Sequence, residues 1–268
     1  MKDLMARFGL HALPFTREIP VSRRFEHPLF TEALTLLTDT VKKRMSAALI
    51  GPAGTGKSAL LRALVEDLPA ARYRTHYVKV TDLSKRDLCR EITAAVGATP
   101  AGSYPGLVRN LQVRFENSFG VDGLRTVLIL DDAHDVRPEV LAVLRVLTNF
   151  DMDSRLVLSV ILSGQPPLRA LLRRDSLEDV ARRLAGIATL TPLSREETRD
   201  YVTHRMNVAG AETIPFTDQA FDALFEIGRG NLRATDVLAL AALEIAFVKD
   251  QQTVDANHVA DARRRVIP

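Results

Sequence analysis

The stretch LIGPAGTGKSALLRAL (Leu49–Leu64) restricts the possible folds of this chain more than any other segment. It joins a short apolar run, typical of a buried strand, to a glycine-rich bend and then to Lys-Ser at the start of a helical pattern. Glycines let the backbone curl so that its N–H groups point at a phosphate, and the helix N-terminus adds positive potential. We therefore predict a loop that binds a nucleoside triphosphate. Its residues are Gly51, Pro52, Ala53, Gly54, Thr55, Gly56, Lys57, Ser58 and Ala59.

A second acidic segment, VLILDDAH (Val127–His134), supplies the carboxylates that such a loop requires. We expect Lys57 to reach the β- and γ-phosphate oxygens and the Ser58 hydroxyl to bind Mg²⁺. Asp131 follows four apolar strand residues and would bind the same Mg²⁺ through water, and Asp132 would polarise the attacking water. The predicted cofactors are ATP and Mg²⁺. The same segment ends in a histidine, which we interpret as a local hydrogen-bonding residue rather than a metal ligand.

Strand and helix patterns alternate along the first two thirds of the chain. Apolar runs predict strands at 46–50, 76–80, 126–132 and 156–164. Helical patterns lie between them, including one across Pro138–Phe150. This alternation predicts an α/β fold with a parallel sheet that carries helices on both faces.

The pattern changes after a last predicted strand at Ala188–Leu193. From there the chain shows helical patterns only, and Ser194 with Glu197 three residues later has the form of a capping box. We predict an α/β core over residues 1–190, with an N-terminal arm, and a small all-helical domain over residues 191–268. The four predicted helices of that domain are Ser194–Val208, Thr217–Ile227, Leu232–Val248 and Asp255–Val266.

Composition limits the setting in which the protein works. The single cysteine, Cys89, excludes an intramolecular disulfide and fits a reducing compartment. The N-terminus has no signal-peptide pattern, and no apolar run approaches the roughly 20 residues of a membrane span. We expect a soluble bacterial cytoplasmic protein without a membrane partner. A net charge of +3 and a pI near 9.2 permit nucleic-acid binding without requiring it.

Several segments resemble one group of AAA+ ATPases, the secretion-type (ExeA-like) proteins. The resemblance covers nearly the whole chain, and it is closest to short members encoded beside DDE transposases in bacterial mobile elements. It implies a P-loop NTPase core followed by a helical lid domain. The segments that carry it are FGLHALPF (Phe8–Phe15), DDAHDVRPEVL (Asp131–Leu141), LRVLTNFDMDS (Leu144–Ser154), ILSGQPPLRALL (Ile161–Leu172) and LTPLSREETRDYVTHRM (Leu190–Met206).

The resemblance also implies roles for three further residues. Gln165 would be the sensor-1 residue that detects the γ-phosphate, with Ser163 as the alternative. Arg183 would be the arginine finger that reaches a nucleotide on the neighbouring subunit, with Arg182 as the alternative. Arg233 matches sensor 2 at the start of a helix in the lid domain.

Two further features bear on nucleotide chemistry. The family usually has Asp-Glu where this chain has Asp131-Asp132, and the shorter Asp132 predicts slow, partner-stimulated hydrolysis. The N-terminal aromatic residues Phe8 and Phe15, with Pro14, would either shape the adenine pocket or pack the arm onto the protein.

The resemblance implies a DNA transposition accessory protein. Such a protein would bind double-stranded DNA without sequence preference, assemble into a ring or filament of identical subunits, and recruit or stimulate a DDE transposase. The alternatives are a helicase-loader-like replication switch and a secretion or pilus assembly ATPase. Full-length secretion-type relatives normally add a membrane span and a peptidoglycan-binding part, and we expect neither here because the chain stops at Pro268.

Candidate DNA contacts lie in KVTDLSKRDLCRE (Lys79–Glu91). Lys79, Lys85 and Arg86 surround a loop and a predicted helix N-terminus, where backbone N–H groups also bind phosphate. Related helper proteins bind DNA with the corresponding region, and an ordinary solvated surface is the alternative. Further basic candidates with weaker support are Arg109, Arg114 and the run Ala262–Arg265.

Overall fold

The computed structural model describes residues 2–16 and 18–266, which form two compact units. We call Pro28–Pro52 together with Lys57–Leu190 the α/β unit. The helical unit comprises Met1–His27, Ala53–Gly56 and Thr191–Pro268. Among the described residues, no helix is both long enough and apolar enough to cross a lipid bilayer.

The described part of the α/β unit is built on a parallel sheet, which confirms the predicted fold class. The strands pair in the order β2-β3-β4-β1-β5, and each pair is parallel. From β1 the chain crosses to β2 at one edge of the sheet, and it later crosses from β4 to β5 on the other side of β1. The direction of the connections therefore changes beside β1. Ligands of open α/β sheets bind at the carboxyl ends of the strands near such a switch point. The strands are β1 Ser46–Ile50, β2 Tyr73–Lys79, β3 Arg125–Asp131, β4 Leu158–Gly164 and β5 Leu184–Thr189.

Helices connect the strands and cover the apolar sheet. The central strands are buried on both faces: Leu128 and Leu130 join one large apolar cluster, while Ile129 between them is equally buried on the opposite face. This explains why β3 is an unbroken apolar run in the sequence. The helices are α2 Pro28–Lys42, α3 Lys57–Asp67, α4 Lys85–Val96, α5 Tyr104–Gly120, α6 Pro138–Leu141, α7 Val143–Leu147, α8 Pro167–Leu172 and α9 Glu178–Ala181.

Two predicted elements differ from the observed ones. The single helix expected across Pro138–Phe150 is divided into α6 and α7. It ends at Leu147, shortly before the turn 151–153, whose three residues have positive φ and cannot continue a right-handed helix. The last strand lies over Leu184–Thr189 rather than 188–193. It stops there because its partner strand β1 ends at Ile50, which is paired with Thr189.

The described helical unit has its own apolar core, separate from that of the α/β unit. The capping box predicted at Ser194 is present, since Ser194 and Glu197 each bond the other's backbone N–H, at 3.2 and 2.7 Å. The N-terminal Phe8 and Phe15 are buried in this core. The helices are α1 Lys2–Arg7, α10 Arg195–Val208, α11 Asp218–Gly228, α12 Leu232–Val248 and α13 Ala256–Val266.

Candidate nucleotide site

The glycine-rich loop has the conformation that a phosphate-binding loop requires. It leaves β1 at Gly51, whose N–H donates to the Gly164 carbonyl at the end of β4 at 3.1 Å. Gly54 and Gly56 have φ values of 80° and 93°, in the left-handed region that favours glycine. The helix α3 then begins at Lys57. The loop therefore connects a strand to a helix N-terminus, and its left-handed positions are both occupied by glycine.

The Lys57 ammonium lies over the turn that precedes its own helix. It donates to the carbonyl of Gly51 at 2.7 Å and to that of Pro52 at 2.9 Å. These bonds place a positive charge within the loop. Phosphate oxygens of a bound nucleotide would replace the two carbonyls as acceptors of the ammonium's hydrogen bonds. Ser58, the predicted Mg²⁺ ligand, follows in the first turn of α3 and is exposed.

Within the helical unit, the loop segment Ala53–Gly56 is bonded to the start of α12. Asn231 caps this helix, and its side-chain amide also donates to the Ala53 carbonyl at 2.6 Å. The Leu232 N–H donates to the Gly54 carbonyl at 3.0 Å. A Cβ at position 54 would overlap the Asn231 side chain, so this contact requires glycine there. Arg233, the predicted sensor-2 residue, comes next and is exposed.

Asp131 is a buried carboxylate with both oxygens hydrogen-bonded. It ends β3, and the residue is only 7% exposed. Its Oδ1 accepts from the Asp132 N–H at 3.0 Å, and its Oδ2 accepts from the Tyr77 hydroxyl at 2.9 Å. Burial, the hydrogen bond to Asp131 and the nearby carboxylate charges raise the pKa of Tyr77 above its ordinary value. The phenol is thus a permanent donor to the carboxylate.

Asp132 adopts a left-handed conformation, with φ of 58°, directly after the strand. The turn directs its carboxylate to Lys79 at the end of β2, where Oδ2 lies 3.2 Å from the Lys79 ammonium. Lys79, predicted as a DNA contact, therefore also contacts the carboxylate predicted to activate water. The two other predicted DNA contacts, Lys85 and Arg86, open α4 and are exposed.

Gln165 follows β4 at the same edge of the sheet. Its amide nitrogen lies 2.8 Å from Nε2 of His134, the histidine after the two aspartates. His134 thus bonds a neighbouring side chain, as the sequence suggested. Ser163, the alternative to Gln165, is completely buried, and its hydroxyl has no hydrogen-bond partner among the described residues.

The two candidate finger arginines are both paired within their own chain. Arg183 makes two bonds to the carboxylate of Asp153, at 2.6 and 2.8 Å, and a third to the Thr148 hydroxyl at 3.1 Å. Its side chain is 24% exposed. Arg182 is more exposed and pairs with Glu178 at 2.5 Å, one helical turn earlier.

The residues present fit ATP with Mg²⁺. The loop combines backbone N–H groups, an ammonium and a hydroxyl, and Asp131 offers a fixed carboxylate at the carboxyl edge of the sheet. Sequence reasoning missed Tyr77, Asn231 and Asp153. The first two act on residues far away in the chain, and the third depends on a turn in which three consecutive residues, 151–153, have positive φ. No local pattern signals such contacts.

Comparison with known proteins supports the same kind of site. The AAA domain family matches residues 40–172, which include the loop and both aspartates. The General secretion pathway protein A of Aeromonas hydrophila is 31% identical over 250 residues, covering 92% of this chain and 45% of that protein. The chain therefore spans less than half the length of this curated relative.

Solved structures show the same fold at low sequence identity. Cdc6p from Pyrobaculum aerophilum superposes with a TM-score of 0.74 at 18% identity, covering 94% of this chain and 70% of that one. The ORC1 protein of Aeropyrum pernix, solved in complex with DNA, gives a TM-score of 0.67 at 17% identity, covering 92% and 68%. At these identities the likeness concerns the fold alone.

Proposed function

Because the chain is an AAA+ protein of the ExeA-like type, with its AAA domain at residues 40–172, we propose that it is an ATPase whose nucleotide state controls an assembly on double-stranded DNA. The observation that carries this proposal is the ion pair between Lys79 and Asp132. It joins the carboxylate that we expect to activate water to the basic segment that continues into Lys85 and Arg86.

For hydrolysis, each residue has a distinct role. Lys57 and the loop N–H groups would bind the phosphates, and Ser58 and Asp131 would hold a Mg²⁺ ion that supplies charge neutralisation. Asp132 accepts the proton of the attacking water, and Gln165 orients the γ-phosphate side of the site. The remaining two roles belong to arginines: Arg233 contacts the phosphates as sensor 2, and Arg183 acts on a nucleotide bound to the neighbouring subunit after leaving Asp153.

For DNA binding, three observations support the basic segment. Lys85 and Arg86 are exposed at the N-terminus of α4, where helix N–H groups add to the attraction for phosphate. The pI near 9.2 is compatible with a polyanionic partner. Fold neighbours include the ORC1 protein that was solved in complex with DNA.

We further propose that the assembly is a ring or filament of identical subunits that recruits or stimulates a DDE transposase. We expect Arg183 to act on a nucleotide held by the neighbouring subunit, so this role requires an oligomer. The relationship to the General secretion pathway protein A favours a second candidate function, a secretion-assembly ATPase. The two functions differ in whether the nucleotide-bound state binds DNA.

Binding of a labelled random duplex tests the DNA function. We expect binding with ATP that exceeds binding with ADP, does not depend on sequence, and weakens as salt rises. The double variant Lys85→Ala/Arg86→Ala is expected to reduce the slope of log affinity against log salt by about two, because two phosphate contacts are lost.

The matched control removes two other exposed cations, Lys42 and Lys43. They precede β1 and so lie at the amino edge of the parallel sheet, opposite the edge where β2 ends. We expect their replacement by alanine to leave duplex binding unchanged. An equal loss of duplex binding in both double variants would contradict the proposal that Lys85 and Arg86 contact DNA. A failure of the wild-type protein to bind duplex in any nucleotide state would favour the secretion function.

A further inference from the structure

The edge strand β2 directs one side chain to each of the two consecutive aspartates. Tyr77 and Lys79 are two residues apart and therefore lie on the same face of the sheet. Lys79 is paired in register with Asp131, yet its ammonium contacts Asp132. The Tyr77 hydroxyl contacts Asp131 instead, at 2.9 Å.

This hydroxyl completes the fixation of the Asp131 carboxylate. Rotation about the last side-chain bond moves both oxygens together, and the single bond from the Asp132 N–H to Oδ1 leaves some of that freedom. The bond from Tyr77 to Oδ2 removes that freedom. A buried carboxylate with both oxygens bonded is held in one orientation, and its remaining lone pairs can accept hydrogen bonds from metal-bound water.

The environment of Tyr77 differs from that of an ordinary core residue. The residue is 55% exposed, so its ring contributes little to the apolar core. The hydrogen bond to Asp131 is partly buried. The hydroxyl is therefore the part of the side chain with a defined partner, and that partner is the carboxylate assigned to Mg²⁺.

We propose that Tyr77 is a positioning residue that orients Asp131 for the divalent cation of the nucleotide complex. The inference rests on the proposed ATPase function. Outer hydrogen-bond partners of metal-binding carboxylates commonly affect metal affinity, since they fix the ligand before the metal arrives. Loss of the hydroxyl should weaken cation-dependent nucleotide binding without affecting the phosphate loop.

The test is a titration of Mg²⁺ at a fixed concentration of a fluorescent ATP analogue, read as nucleotide binding rather than turnover. Tyr77→Phe is expected to raise the half-saturating Mg²⁺ concentration about three- to tenfold, as loss of one hydrogen bond would. Binding in EDTA and the thermal unfolding midpoint should not change. The control is Tyr73→Phe, which removes a hydroxyl near Arg125 at the other end of the same strand.

A double variant connects the effect to Asp131. In an Asp131→Asn background, Tyr77→Phe should cause no further change in the Mg²⁺ requirement, because the two residues act as a unit. An unchanged Mg²⁺ requirement in Tyr77→Phe, or a tighter one, would overturn the inference while the ATPase function stands. Absence of Mg²⁺-dependent nucleotide binding in the wild-type protein would instead overturn the proposed function.

Discussion

Asp132→Asn is expected to lower the rate of ATP hydrolysis by about 10²- to 10⁴-fold, the range that general base catalysis contributes. Asparagine has nearly the shape of aspartate, but its amide cannot accept a proton from water. Nucleotide affinity should be unchanged, because the loop residues that bind phosphate are untouched. The measurements are steady-state phosphate release and binding of a fluorescent ATP analogue by the same preparations.

The matched control is Asp135→Asn, which removes a carboxylate from the short turn Ala133–Asp135 that follows. Asp135 is exposed, and we expect wild-type turnover in this variant. If Asp132→Asn retained wild-type turnover while Lys57→Ala abolished nucleotide binding, the base would have to be another residue. The assignment of Asp132 would then be wrong, although the nucleotide site would remain.

Arg205→Met is expected to lower the free energy of unfolding of the helical unit by about 3–5 kcal/mol, the cost of removing one partner of a buried ion pair. Arg205 is 6% exposed and donates to both oxygens of Asp236, at 3.1 and 3.2 Å. Its other terminal nitrogen donates to the Thr16 carbonyl at 2.6 Å. The variant therefore leaves a carboxylate poorly compensated and weakens the attachment of the N-terminal arm.

Urea unfolding followed by circular dichroism measures this effect. Arg199→Met is the control, since Arg199 lies on the same helix but forms an exposed pair with Asp218 at 2.7 Å. Exposed pairs contribute about 0–1 kcal/mol. Combining Arg205→Met with Asp236→Leu should recover part of the loss, because both charges are then removed. Equal effects of the Arg205 and Arg199 variants would contradict the structural role of the buried pair.

The parts of the fold that were predictable depend on neighbours in the sequence. The glycine-rich loop, the apolar run of β3 and the Ser194–Glu197 capping box are each encoded within a few residues. The division of the helix at 138–150 was not predictable, because the buried Val140 and Leu144 keep a helical spacing across it.

The same distinction applies to the candidate site. Lys57, Ser58 and Asp131 follow from motifs, whereas the Tyr77–Asp131 bond depends on the parallel register of β2 against β3. A shift of one residue would turn Tyr77 to the opposite face. The pairing of Arg183 with Asp153 likewise depends on the left-handed turn before β4. These contacts join residues that are distant in the chain, so the sequence pattern around each residue does not predict them.

We propose that nucleotide state controls the assembly of this protein on DNA. The mass of the complexes formed on a long random duplex, measured with a non-hydrolysable ATP analogue and with ADP, tests this most directly. We expect multi-subunit complexes on DNA with the analogue, and monomers or small free species with ADP and with Lys57→Ala. Complexes of the same mass in both nucleotide states, or none on DNA in either, would contradict the claim.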